Sequence, residues 1–130
     1  MSLSITAVYT AVFAILIIPM SMQITMRRIA LGNIASGDAN DEDLILKRET
    51  LRNFCEYVPL GLILLAAFEN TFGSTTSTIL LGGMFLFSRV LHVTGFQFFK
   101  SPRYFAIAMM VQHTYFVLAP ALLIYEIAFG

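Results

Sequence analysis

The chain alternates four long apolar stretches with short polar segments. The apolar stretches run from Leu3 to Met26, Phe54 to Phe68, Ile79 to Phe99 and Tyr104 to Phe129. A helix needs about 20 apolar residues to cross about 30 Å of hydrocarbon, and three of the stretches are long enough. The second is shorter, so its helix is predicted to begin upstream, near Asp43, within a charged segment.

No segment shows the period-2 alternation of a membrane β-barrel, and the chain is too short to supply eight strands comfortably. The pattern therefore predicts an all-α fold, an integral membrane four-helix bundle forming one domain over residues 1–130. Its helices are expected at about residues 3–29, 43–69, 76–99 and 102–129. Asn40 to Asp43 offer a cap and first-turn acids for the second helix. Ser101-Pro102 offers an N-cap serine and a first-turn proline for the fourth.

Composition supports the membrane assignment and excludes several kinds of partner. The chain is 58% hydrophobic and only 12% charged, whereas soluble domains are roughly 25% charged. Its formal net charge is zero and its basic residues lie in short clusters, so no nucleic-acid partner is expected. The single cysteine, Cys55, excludes an internal disulfide. His92 and His113 lack a third ligand at metal spacing, so no metal site is predicted.

Charge in the connections indicates an orientation. Basic residues occur between the first and second spans and between the third and fourth, but the turn from Asn70 to Thr76 has none. They are Arg27, Arg28, Lys47, Arg48, Arg52, Lys100 and Arg103. Because basic connections stay in the cytoplasm, both termini are expected on the non-cytoplasmic side. Glu69 and Glu126 then lie near the outer ends of their helices, where solvent is expected to reach them.

Polar residues at the inner ends of the second and third helices are the main functional signal. Arg52, Asn53 and Glu56 fall within about 100° of arc on the second helix and are expected to face into the bundle. Arg89 and His92 share a face of the third helix with Phe96. One interpretation is a buried Glu56–Arg89 ion pair that fixes helix register. The other is a polar cavity for a charged, peptide-like ligand.

Arg103 is a separate candidate because it follows the Ser101-Pro102 cap, in the first turn of the fourth helix. The helix dipole disfavours a cation there by several tenths of a kcal/mol. Either Arg103 marks the cytoplasmic boundary, or it holds an anion together with the exposed helix N–H groups. A thiolate held in this way would be a nucleophile.

Two sequence blocks resemble the MAPEG family, the membrane-associated proteins in eicosanoid and glutathione metabolism, and its bacterial branch in particular. They are Arg52-Asn53-Phe54-Cys55-Glu56-Tyr57-Val58-Pro59 and Ser88-Arg89-Val90-Leu91-His92. The similarity covers nearly the whole chain. It implies a homotrimer of four-helix subunits in the bacterial inner membrane, surrounded by membrane lipid, with glutathione or a similar thiol bound between adjacent subunits.

The resemblance also assigns roles. Asn53, Glu56 and Arg89, with Arg52, would hold the glutathione tripeptide, His92 would lie near it, and Arg103 would stabilise its thiolate. The implied activity is a glutathione-dependent transferase or peroxidase acting on lipophilic electrophiles or hydroperoxides.

Two positions depart from the family pattern: Glu49 stands where an arginine is usual, and Phe96 where eukaryotic enzymes tend to have a tyrosine. The alternative hypothesis is therefore a non-enzymatic lipid-binding or scaffold membrane trimer. A plain channel ranks below both because no ring of filter residues is evident.

Overall fold

A computed structural model describes residues 2–130, which form four helices and no strand. The helices are α1 (Ser4–Ala30), α2 (Glu42–Phe72), α3 (Thr76–Gln97) and α4 (Pro102–Phe129). Each is long and apolar enough to cross a membrane, so the predicted all-α membrane fold is confirmed. Relative to the expected bounds, α2 ends three residues later, at Phe72, and α3 ends two residues earlier, at Gln97.

Local signals at the two polar connections explain where α2 and α4 begin. The Asp41 side chain accepts a hydrogen bond from the Leu44 N–H at 2.9 Å, and Glu42 and Asp43 occupy the first turn. Ser101 is the N-cap residue of α4 and Pro102 follows it, as predicted. Its hydroxyl, however, makes no capping hydrogen bond within the described chain. The fixed φ of Pro102 is therefore the local feature that favours the start of α4.

The helices pack as a bundle in which α2 and α3 contact both α1 and α4. The outer pair, α1 and α4, do not touch each other among the residues described. Phe85 of α3 lies at the centre, fully buried, stacked on Tyr115 at 4.7 Å between ring centroids and 5.4 Å from Phe13. The outward faces carry large exposed apolar side chains such as Ile15 and Met110. A surface of this kind is suited to lipid rather than water.

Glycines on α2 and α3 allow close packing, but mainly against aromatic rings rather than against backbone. A Cβ at Gly61 would lie 2.2 Å from the Phe85 ring, and one at Gly82 would lie 2.2 Å from the Tyr9 ring. Close approach of two helices occurs instead at Gly95, where a Cβ would be 2.6 Å from the Cβ of Tyr104. The absent side chains of these glycines therefore fix how α1, α2 and α4 pack around α3.

Gly61→Ala is expected to destabilise the fold by about 1–3 kcal/mol, because Phe85 is held on several sides and cannot yield to a new methyl group. The thermal midpoint of the purified protein in detergent measures this. Gly83→Ala is the matched control, because its Cβ would lie 3.3 Å from the Tyr9 hydroxyl, a contact that a shift of a few tenths of an ångström relieves. Equal midpoints for Gly61→Ala and wild type would show that the Phe85 ring is mobile.

Glu69 is not solvent-exposed, so that expectation was wrong. The residue is 1% exposed, and its carboxylate accepts hydrogen bonds from the N–H groups of Ile5 at 2.8 Å and Thr6 at 2.7 Å. The hydroxyls of Thr6 and Ser74 donate to it at 2.6 and 2.7 Å. The first N–H groups of a helix have no acceptor within the helix. The Glu69 carboxylate is the acceptor for two of these groups in α1. Glu126 is exposed, as expected.

Candidate functional site

Arg89 is the centre of the candidate site and is almost fully buried, with 1% of its surface exposed. Its Nη1 donates to the Asn53 side-chain oxygen at 2.5 Å, and its Nη2 lies 3.9 Å from the sulfur of Met109. The guanidinium carbon is 5.7 Å from the centre of the Tyr57 ring. Its Nε is buried without a hydrogen-bond partner in the described chain. Asn53 and Arg89 therefore come together, as the cavity interpretation requires.

The alternative interpretation, a Glu56–Arg89 ion pair, was wrong. Among residues 2–130 no carboxylate oxygen lies within 4.0 Å of Arg89. Glu56 instead pairs with Arg52 at 3.6 Å, and Arg52 also contacts Glu49 at 2.5 Å. The guanidinium of Arg89 is thus a buried cation with polar and aromatic neighbours but no anionic partner in the part of the chain that the structure describes.

The reason lies in which stripe of α2 packs inward. Phe54, Val58 and Gly61 form the buried stripe. Arg52 and Glu56 both lie two residues from Phe54, about 160° around the helix, and therefore point away from the bundle. Their side chains are 65% and 56% exposed. The expected inward polar face is confirmed for Asn53 and wrong for these two residues.

His92 lies one helical turn beyond Arg89 and is 2% exposed. Its ring stacks on Phe96 at 5.6 Å with an interplanar angle of 12°, and it lies 5.3 Å from the ring of Phe105 on α4. The predicted shared face of Arg89, His92 and Phe96 is therefore present. It is closed on one side by the aromatic ring of Phe105.

Arg103 occupies the first turn of α4 and is exposed. It makes no ion pair and no side-chain hydrogen bond with any residue from 2 to 130. It is thus separate from the Arg89–Asn53 contact and from the Arg52–Glu56 pair. The predicted site residues form three groups on a single chain.

A cavity of about 840 Å³ opens where the start of α2 meets the turn between α3 and α4. Its walls include Asp41, Asp43, Phe96, Lys100, Ser101 and Phe105. Phe96 and Phe105 also contact His92, so the cavity adjoins the site. The sequence analysis did not place Asp41 or Lys100 in a site. One sequence feature could have placed them there: the α2 cap and the α3–α4 turn belong to connections that are predicted to lie on the same side of the membrane.

Asp41 is held at the rim of this cavity by Arg27, whose Nε and Nη2 donate to its two oxygens at 2.9 and 2.7 Å. The hydrogen bond from Arg27, with that from the Leu44 N–H, lowers the pKa of Asp41 to about 2. A lowered pKa adds stability above the usual Asp value of about 4, and this is lost as pH falls towards 2. The Arg27–Asp41 contact therefore persists throughout the physiological range.

The part of the chain that the structure describes contains no group of three or more His, Cys, Asp or Glu suited to a metal ion. The polar groups of the site are the Arg89 guanidinium, the Asn53 carboxamide and the His92 imidazole. Such a set suits an organic anion better than a metal.

Comparison with known proteins gives one family. No curated protein and no solved structure gives a significant match. The sequence model of the MAPEG family matches residues 6–125. That range runs through all four helices and includes Asn53, Arg89, His92 and Arg103, and on this basis the chain belongs to the MAPEG family.

Proposed function

We propose that this chain is a glutathione-dependent transferase or peroxidase of the membrane, acting on lipophilic electrophiles or hydroperoxides. The observation that carries the proposal is the buried guanidinium of Arg89, which has no carboxylate partner among the residues described. A buried charge without a counter-ion costs several kcal/mol. A ligand carboxylate in contact with Arg89 would offset that cost.

The polar groups fit a tripeptide thiol. Glutathione carries two carboxylates, one amino group and two peptide groups. Arg89 would bind a carboxylate, Asn53 would bind a peptide group, and Glu56 would accept from the amino group, with Arg52 and His92 nearby. The 840 Å³ cavity beside His92 lies within the range of about 300–1,000 Å³ typical of small-molecule sites.

The separation of the three groups on one chain supports a site shared between subunits. The Arg52–Glu56 pair is more than half exposed on the outside of the bundle, at the membrane boundary. Lipid would leave such a pair poorly solvated. In a homotrimer an adjacent subunit would cover it and complete the site. Orientation in a bacterial inner membrane with both termini outside would place the site on the cytoplasmic side, where glutathione occurs.

Bound glutathione would supply a thiol as the nucleophile. Arg103 and the exposed N–H groups at the start of α4 would stabilise its thiolate form. With an electrophile such as a chloronitrobenzene entering from the bilayer, the thiolate would attack the electrophilic carbon and form a C–S bond as chloride departs. With a lipid hydroperoxide it would attack the outer oxygen and break the O–O bond, so that the peroxide is reduced to the alcohol after protonation and glutathione is oxidised to its sulfenic acid. A second glutathione would then displace water from the sulfenic acid and form glutathione disulfide.

Arg103→Ala is expected to lower kcat by about 100-fold or more, because it removes the cation that stabilises the thiolate of bound glutathione. The assay uses the purified protein with glutathione and either a chloronitrobenzene or a lipid hydroperoxide. Arg48→Ala is the matched control and should retain wild-type rates. Arg48 is an exposed arginine on the same predicted side of the membrane as Arg103. Equal rates for wild type and Arg103→Ala would count decisively against the proposed chemistry.

One observation favours the second candidate, a non-enzymatic lipid-binding or scaffold trimer. Phe96 stacks on His92 and provides no hydroxyl at a position beside the site. This candidate predicts no thiolate absorbance in the ultraviolet when glutathione is added to the protein, whereas the enzyme predicts such a signal. Calorimetry with glutathione in detergent separates the two further, since only the enzyme requires saturable binding.

A further inference from the structure

The wall of the cavity of about 840 Å³ contains one cation and three carboxylates, which are Lys100, Asp41, Glu42 and Asp43. Two of the carboxylates are neutralised by basic residues outside the wall: Asp41 pairs with Arg27, and Asp43 pairs with Lys47. Lys100 makes no ion pair with any residue from 2 to 130, and neither does Glu42. In the described chain the cavity therefore has one unpaired cation and one unpaired carboxylate.

The turn between α3 and α4 fixes the backbone of Lys100 beside this cavity. The N–H of Phe99 donates to the Thr94 carbonyl at 3.1 Å, and the N–H of Ser101 donates to the Gly95 carbonyl at 3.2 Å. Lys100 lies between these two hydrogen bonds with a φ of 47°, in the left-handed region that favours glycine. The side chain itself is exposed. Its ammonium group is therefore available to a ligand in the cavity.

The glycyl end of a peptide matches a free cation beside a free carboxylate. Its terminal carboxylate would accept a hydrogen bond from the Lys100 ammonium, and its peptide N–H would donate to Glu42. In the proposed function Glu56 accepts from the amino group of glutathione, which belongs to the γ-glutamyl end. The glycyl end then remains for the cavity beside Lys100.

The separation of Arg89 and Lys100 suits a tripeptide. Arg89 precedes Gly95 by six residues, or about 9 Å along the axis of α3. The hydrogen bond from Ser101 to the Gly95 carbonyl returns the chain after Lys100 to the end of this stretch. Three extended residues span roughly 10 Å. One glutathione molecule can therefore place one carboxylate at Arg89 and the other at Lys100.

We propose that Lys100 determines specificity in the glutathione site by binding the glycine carboxylate through its ammonium group. This inference rests on the proposed function, and it adds to that site a residue outside the two sequence blocks. It predicts that the protein distinguishes glutathione from the same thiol with its glycine carboxylate esterified.

The test titrates glutathione and its glycine ethyl ester into the purified full-length protein in mild detergent and measures both affinities by calorimetry. Wild type is expected to bind glutathione about tenfold more tightly than the ester, as for one charge-assisted hydrogen bond. Lys100→Met should weaken binding of glutathione by about tenfold and leave binding of the ester unchanged, and Lys100→Arg should restore the preference. Arg48→Met is the matched control and should behave like wild type, because its partner Asp38 lies outside the cavity wall.

Two results would overturn the assignment while leaving the proposed function in place. Equal wild-type affinities for glutathione and the ester would show that no cation binds the glycine carboxylate. A preserved preference in Lys100→Met would show that another group binds it. Absence of glutathione binding by wild type would instead overturn the proposed function and this inference with it. The ester comparison in wild type needs no variant, so it decides even if Lys100→Met folds poorly.

Discussion

Arg89→Met is expected to leave the ligand-free protein as stable as wild type or more stable, while lowering glutathione affinity by about 100-fold or more. Replacing a buried ion pair or triad with apolar side chains of similar volume is often neutral or stabilising by about 1–4 kcal/mol, and a buried charge without a counter-ion has less attraction to lose. Arg89 has one hydrogen bond to Asn53, a sulfur contact and an aromatic neighbour, but no carboxylate within the described chain. Its burial is therefore a cost that only a ligand would offset.

Two measurements check this expectation: the unfolding midpoint in detergent without ligand, and calorimetric titration with glutathione. Loss of a buried, hydrogen-bonded charge from a binding contact costs about 2–5 kcal/mol, which corresponds to the expected loss of affinity. Arg48→Met, an exposed arginine, should change neither quantity. A midpoint several degrees lower for Arg89→Met, with glutathione affinity intact, would show that the guanidinium has a structural role instead.

Glu69→Ala is expected to destabilise the bundle by about 3 kcal/mol, as when one partner of a buried charged network is removed. The carboxylate accepts from the N–H groups of Ile5 and Thr6 and from the hydroxyls of Thr6 and Ser74. Without it the N–H and hydroxyl of Thr6 remain buried and unpaired. The N-cap residue of α1, Leu3, makes no side-chain capping hydrogen bond that could replace the carboxylate. The first turn of α1 should then separate from the end of α2.

Equilibrium unfolding of the purified protein in mixed detergent measures the loss, and hydrogen exchange at Ile5 and Thr6 locates it. Glu69→Gln should be intermediate, because one oxygen acceptor remains. Glu126→Ala, at the exposed outer end of α4, is the control and should be near wild type. Rapid exchange at Ile5 and Thr6 already in wild type would contradict the proposed anchoring of α1.

The two buried charges therefore have opposite expected consequences for stability. Glu69 is surrounded by donors from its own chain, so the fold itself satisfies the charge. Arg89 has no anionic partner among residues 2–130, so its charge is available to a ligand. Burial alone does not distinguish a structural charge from a functional one; the presence of protein partners does.

The amino-acid sequence by itself determined the fold class and the neighbourhood of the site. Three apolar stretches of membrane-spanning length, and a shorter one that continues from a charged segment, leave little choice other than a helical bundle. The i, i+3 spacing of Arg89 and His92 places them on one face whatever the packing, because that relation is internal to the helix. Ser101-Pro102 likewise marked the start of α4 from local geometry alone.

Only the tertiary structure decided which helix faces pack inward and which side chains on different helices contact each other. In water an apolar stripe identifies the buried face of a helix, but in a membrane both the lipid-facing and the inner faces are apolar. The sequence therefore could not show that Arg52 and Glu56 face outward, or that Glu69 anchors α1. Periodicity fixes angles within one helix. Partners between helices depend on how neighbouring helices are rotated and shifted against each other, and packing at residues such as Gly61 and Phe85 sets that arrangement.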